Sequence, residues 1–346
     1  MTTGKKALVL VTVLLVLLTT VTGCGSQGGD ADSGNKDSTE VIELRLGTKM
    51  TADSPEGLAF QKFADLANER AEGRLNVTVY PSEQLGSGTT QIDNVILGSQ
   101  DLYADGSTYL ASFNKDYSIS SVPFLFRDDE HYHKFCTSEL GQQMNETLME
   151  NGIRIINDKR NFVRGPYRVL VSTVPIKSLS DIQGMKIRSF ESPVYGACWA
   201  NLGANPIVVA YTETYLALKQ NVVKGAVLPI SNLYSMKWTE VGKYVARIDE
   251  FPQDIVIVMN NKKFESLPED LQQILVDAAN DAGDYGTELA HKSAEEDTER
   301  IKEEHGAEFI TLDTAEWQEK MKPYFYELEK KGLVSEGMID KVLAIE

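Results

Sequence analysis

Arg188 stands in the stretch "GMKIRSFESP" where the strand should end: Met185 and Ile187 alternate with Lys186 and Arg188 as in a half-buried strand, and Pro193 marks the turn beyond it. A guanidinium is planar, always charged, and carries paired N–H donors spaced for two carboxylate oxygens. Inside the chain, Glu191 and Glu213 are its nearest candidate partners. The other possibility is a carboxylate from outside the chain. Catalytic chemistry is harder to find. Of the four histidines, His131 and His133 in "HYH" supply two metal ligands, but no HExxH pattern or spaced third ligand accompanies them. There is no nucleophile elbow, phosphate-binding loop or dinucleotide fingerprint with its acidic partner. No metal or cofactor is therefore expected. A secreted hydrolase using paired carboxylates is the remaining enzymatic alternative in a chain with 51 acidic residues.

The N-terminus bears on where such a site operates. Lys5 and Lys6 precede the apolar run "ALVLVTVLLVLLTTV", which ends at "TGCGS", so residues 1–23 read as a secretion signal. The run is shorter than the ~20 residues of a membrane span. Cys24 follows, and "VTGC" resembles the lipobox of bacterial lipoproteins, which implies that Cys24 is acylated and anchors the chain to a membrane. Residues 24–40 are rich in Gly, Ser and Asp and read as a flexible tether. Cys136 and Cys198 are too few for a disulfide framework; they read as two small buried hydrophobes, with a mutual disulfide as the alternative. The formal charge is −17, and losing Lys5 and Lys6 with the signal carries it to −19. That argues against a nucleic-acid partner, while a local basic pocket remains compatible with an acidic surface.

The elements that must position Arg188 follow from periodicity. "VIELRLG" alternates as a strand, and "SPEGLAFQKFADLANERAEG" carries a helical stripe with Asp53 or Ser54 as cap and Pro55 in the first turn. "RLNVTVYP", a helix within "GTTQIDNVILGSQ" and the strand "DLYA" complete a β-α-β-α-β order, which predicts a parallel sheet with its ligand crevice at the strands' carboxyl ends. A second block repeats the pattern through "GPYRVLVST", "GMKIRSF", "SPVYGACWANLGA", "NPIVVA", "YTETYLALKQNVV" and "KGAVLPI". After the apolar strand "FPQDIVIVMN" the chain is expected to be helical throughout. Two α/β blocks with a helical tail imply two lobes and a cleft.

At this point the sequence resembles the extracytoplasmic solute-binding proteins of tripartite ATP-independent periplasmic (TRAP) transporters, the DctP-like group. The resemblance rests on "YPSEQLGS", "VPFLFRDDEHYHKF", "SLSDIQGMKIRSFESPVY", "LGANPIVVAYTETYLALKQNVVKGA", "SNLYSMKWTEVGKYV" and "LPEDLQQIL", in order from about residue 43 to 280. It implies an α/β, two-lobed, periplasmic-binding-protein-like fold with crossover strands and a long spanning helix. The implied lobes are 41–165 plus 254–293 and 166–253 plus 294–346. It also implies an extracytoplasmic receptor that delivers a small organic acid to membrane permease subunits, driven by an ion gradient. A sensor using the same fold is the alternative.

The resemblance further implies roles. Arg188 would clamp a ligand carboxylate. Arg168 would be a second ligand arginine, with Arg164 competing for that role. Tyr211 and Trp238, with Tyr234, would wall the cleft, while Phe124 and Phe126 go to the core. Lys49, at the end of strand one, would meet a second polar group of the ligand or remain solvated. Asp105 and Ser107 on one side, and Ser231 and Asn232 on the other, would bind hydroxyls or shape turns. Many relatives carry polar residues where this chain has Val227 and Leu228, so an apolar wall is expected. Lys49, Gly88 and Gly106 stand where sialic-acid binders use acidic and amide groups, which argues against sialic acid. Uronates, aldonates, dicarboxylates and 2-oxo acids all fit an arginine clamp.

Overall fold

The computed structural model describes residues 41–346; the signal, Cys24 and the tether lie outside the described residues. The first elements alternate as the periodicity requires: β1 (Ile42–Gly47), α1 (Pro55–Arg70), β2 (Leu75–Tyr80), α2 (Gly88–Leu97) and β3 (Leu102–Gly106). Ser54 settles the start of α1. Its hydroxyl accepts from the Gly57 N–H at 3.0 Å, and Pro55 occupies a first-turn position where a missing N–H has no consequence. Two 3₁₀ turns (Ser107–Ser112 and Lys115–Ser121) then lead to α3 (Asp129–Thr137), α4 (Glu139–Glu150) and the short β4 (Ile153–Ile155).

The chain crosses to a second sheet through residues 156–167. There it forms β5 (Arg168–Ser172), β6 (Lys186–Ser189), α5 (Pro193–Leu202), β7 (Asn205–Val208), α6 (Thr214–Lys219), β8 (Gly225–Pro229) and β9 (Tyr244–Arg247). Ser192 caps α5 by accepting from the Tyr195 N–H, and Gly203 ends it in the left-handed region at φ 107°. A second crossing returns the chain to the first sheet as β10 (Ile255–Asn260), followed by α7 (Asn261–Glu265). The 37-residue α8 (Glu269–His305), β11 (Glu308–Ile310), α9 (Ala315–Lys330) and α10 (Met338–Leu343) complete the fold.

The sheet orders are β2-β1-β3-β10-β4 and β11-β9-β5-β8-β6-β7. Neither is wholly parallel. β1 to β3 run parallel, but β10 is antiparallel to β3 and β4, and β5 is antiparallel to both β8 and β9. The purely parallel expectation fails because strands inserted on a return crossing enter from the opposite end. β11 interrupts the tail that the sequence presented as helical, and β9 before β10 was not anticipated; with three and four residues they are too short to carry a period.

The α/β architecture with two sheets and a long helix is the expected one. α8 packs against α1 of the first lobe and against the turns at Ile230–Asn232 and Trp238–Glu240 of the second. Its buried face is made of small residues, including Ala278, Ala282, Gly283, Gly286 and Ala290. A Cβ at Gly286 would lie 2.4 Å from Phe162 Cε2 and 2.8 Å from Ala59 Cβ, so glycine sets the approach distance. No helix among the described residues is long and apolar enough to cross a membrane.

Candidate ligand-binding site

The two sheets present strand ends to each other. Lys49 follows β1, and Asp105 lies near the end of β3. Opposite them, Arg168 opens β5 in register with Pro229 at the end of β8, while Arg188 on β6 is in register with Ala226 of β8. The two crossings run side by side between the sheets. Arg164 N–H donates to the Gln253 carbonyl at 2.8 Å, and Val163 bridges Asp254. A narrow cavity opens here, lined on one side by Lys49, Thr108 and Tyr109 and on the other by Arg188, Phe190, Tyr211, Val227 and Pro229. Arg164 and Gln253 of the crossings and Arg168 at the start of β5 complete the lining. The lobes are closed over it. About 20 Å³ of free space is left, on the order of one water. A larger cavity of about 960 Å³ lies between the 124–127 loop, β9, β11 and α9, and none of this cluster lines it.

Three of the four cations already have partners inside the fold. Lys49 Nζ is 2.8 Å from Asp105 Oδ2 and lies over the rings of Tyr109 and Tyr211, so the solvated alternative does not apply. Arg164 binds Glu56 Oε1 through Nε at 3.1 Å and Asp105 Oδ1 through a terminal nitrogen at 2.7 Å. Arg168 donates to Glu250 at 3.1 Å, to Gln253 Oε1 at 2.8 Å and to the Val227 carbonyl at 3.2 Å. Burial alone would raise the Asp105 carboxyl, but Lys49 and Arg164 outweigh it and bring the pKa down to about 2. Burial would lower Arg164, but Asp105 first and then Glu56 hold it above its ordinary value.

Arg188 differs. It is 5 % exposed, and among the described residues it makes no salt bridge; its one side-chain hydrogen bond runs from Nε to the Val209 carbonyl at 3.0 Å. Neither Glu191 nor Glu213, the candidate partners within the chain, pairs with it among the described residues. Burial lowers its pKa, and Arg168 pushes the same way. Its guanidinium carbon lies 5.7 Å from the Tyr211 ring and 5.8 Å from that of Phe190, so aromatic faces surround a charge that lacks a counter-ion.

Several expected contacts fall outside the cavity. Trp238 is fully buried behind Tyr211, edge-on at 4.9 Å, and follows Lys237 in a left-handed conformation. Tyr234 stacks on His305. Ser107 donates to Asp254 at 2.6 Å and Asn232 donates to Glu56 and to the Tyr211 hydroxyl, so both serve internal networks. Asp105 is likewise held by cations and by the Tyr103 hydroxyl. Ser231 is buried, and its Oγ has no partner. Val227 lines the cavity, but Leu228 alternates to the opposite face of the strand and enters the core there.

Sequence reasoning missed Glu56, Thr108, Tyr109, Phe190, Glu250 and Gln253. Phe190 had a signal, since it continues the alternation two residues past Arg188. Glu56 had none, because an acid in a first helical turn reads as ordinary capping. Thr108 Oγ1, Glu56 Oε2 and Asn232 Oδ1 are buried without a partner. His131 is consumed by the Val342 carbonyl and the Arg127 N–H, and among the described residues no cluster of His, Cys, Asp and Glu is arranged to hold a metal.

Residues 46–331 match the family model of the bacterial extracellular solute-binding proteins, family 7 (DctP). The chain belongs to family 7. It is 31% identical over 268 residues to the 2,3-diketo-L-gulonate-binding periplasmic protein YiaO of Escherichia coli, covering 78% of this chain and 80% of that one. It is 27% identical to the C4-dicarboxylate-binding periplasmic protein DctP of Rhodobacter capsulatus, covering 84% and 88% respectively. A solved TRAP periplasmic solute-binding protein of Sulfurospirillum deleyianum with bound succinate superposes with a TM-score of 0.80 at 25% identity, covering 88% of this chain and 99% of that one. Family 7 members are extracytoplasmic solute receptors of TRAP transporters, and this chain is one of them.

Proposed function

We propose that the receptor binds a small organic acid in the interlobe cavity, with Arg188 as the carboxylate clamp. The observation that carries this reading is the buried guanidinium with no acidic partner, beside three cations that each have one. A buried unpaired charge is strongly unfavourable, and a ligand carboxylate meeting the free donors of Arg188 would relieve it. Lys49, Arg168 and Tyr211 would add donors and an aromatic wall, and Thr108 and Gln253 would contact ligand oxygens. Asp105, Ser107, Asn232 and Trp238 would act from behind by fixing Lys49, the crossings and Tyr211. The lobes would comprise 41–165 plus 254–293 and 166–253 plus 294–346, consistent with β11 pairing to β9 and α9 packing on α5.

Opening would admit the ligand and closure would bury it, so affinity includes the free energy of that shift. The closed form would be recognised by membrane permease subunits, while an acylated Cys24 anchors the chain at the outer face of the membrane. A thermal-shift screen of the purified protein, unfolded and refolded to strip ligand, against organic acids, sugars and amino acids tests the reading. At 100 times its dissociation constant a ligand adds about 2.7 kcal/mol. A shift confined to carboxylates supports the clamp. No shift with any acid, in folded protein, overturns it.

A further inference from the structure

The charges around the cavity narrow the ligand further, and this step rests on the organic-acid reading above. Lys49, Arg164, Arg168 and Arg188 are four buried cations; Glu56, Asp105 and Glu250 are the three buried carboxylates that meet the first three. Each carboxylate lies against at least one of these cations, which favours its ionised form. Burial raises the Glu250 carboxyl, while Arg168 Nε, Trp199 Nε1 and the Tyr195 hydroxyl donate to its two oxygens and oppose that shift. Asp105 accepts from Lys49, Arg164, the Gly106 N–H and the Tyr103 hydroxyl. Glu56 Oε1 accepts from Arg164 and Asn232. Two further pairs nearby, Arg160 with Asp254 and Arg247 with Asp249, are balanced. One positive charge is left over, on Arg188.

We infer that the receptor selects singly charged monocarboxylates and discriminates against dicarboxylates. One carboxylate on Arg188 makes the closed cavity neutral. A second would enter a desolvated space where every other cation is already neutralised and where Phe190, Val227 and Pro229 offer no donor from their side chains. Discrimination then comes from an unpaired buried anion, a repulsive device and not an added attraction.

Calorimetric titration of the stripped receptor at neutral pH with matched pairs tests this: gluconate against glucarate, and succinamate against succinate. In any pair that binds, the monocarboxylate should bind at least tenfold more tightly. Equal or tighter binding of the dicarboxylate overturns the inference but leaves the organic-acid reading standing. If none of the four binds and the acid screen above is also blank, the organic-acid reading falls and this inference with it. Glu56→Gln is the second arm. Its carbonyl can keep the bonds from Arg164 and Asn232, while the partnerless Oε2 becomes an amide nitrogen and one negative charge disappears. The preference for the monocarboxylate should fall at least tenfold in this variant. An unchanged ratio in a cooperatively folding variant overturns charge counting as the basis of selection.

Discussion

Arg188 separates two quantities that usually move together. In the empty receptor its buried charge opposes folding, whereas with ligand it supports binding. Arg188→Met should therefore weaken binding of the ligand found by screening at least a hundredfold, yet leave the melting temperature of stripped protein unchanged or higher. Differential scanning calorimetry beside titration checks both, and a lower melting temperature would mean that Arg188 has a structural partner. Asp105 behaves in the opposite way. Its folded pKa of about 2 lies below the ordinary value of 3.8, so the stabilisation it provides is full above about pH 4 and is lost as pH falls through 2. Depression of this size corresponds to about 2 kcal/mol. The stability gap between wild type and Asp105→Asn should shrink by about that amount between pH 5 and pH 2 in urea titrations. The difference between these residues was only half legible beforehand. Strand-end position and the family pattern singled out Arg188, but which cations were neutralised depends on Glu56 and Glu250, which lie 108 and 82 residues from their arginines. No local spacing encodes such pairs.

Elements with long periods were the readable ones. The helical stripe of α1, the Pro and Gly boundaries of α5 and the apolar run of β10 all carry their signals within the segment. What escaped was direction and brevity: the antiparallel insertion of β10, and the short β9 and β11 that add the outer strands of the second sheet. α8 shows how far an element can depend on a partner. Alanine has the better helix propensity by about 1 kcal/mol, so Gly286→Ala would stabilise an isolated helix. Here the new methyl group meets the fully buried Phe162 ring and Ala59. The variant should lose roughly 1 to 3 kcal/mol, read as a lower urea midpoint with an unchanged slope.

At the scale of the molecule the closed cleft has a latch at its mouth, where the Thr212 hydroxyl donates to Glu83 Oε2 across the lobes at 2.8 Å. Glu83→Cys with Thr212→Cys, joined by a short bifunctional thiol reagent in stripped protein, should exclude the ligand identified by screening. Cleavage of the linker should restore binding. Undiminished binding to the bridged protein would show that the ligand enters without parting the lobes. Cys136 and Cys198 do not compete, since burial raises both thiols, Cys136 to about 12. The crossings have one further consequence, for biogenesis. β3 lacks one neighbour until Ile255–Asn260 has been synthesised, and β9 lacks its outer partner until Glu308–Ile310 follows. An extracytoplasmic protein that crosses the membrane as an unfolded thread is helped by such a chain order. Neither sheet can be completed, and neither half can lock into a finished globule, until the last third of the polypeptide has emerged.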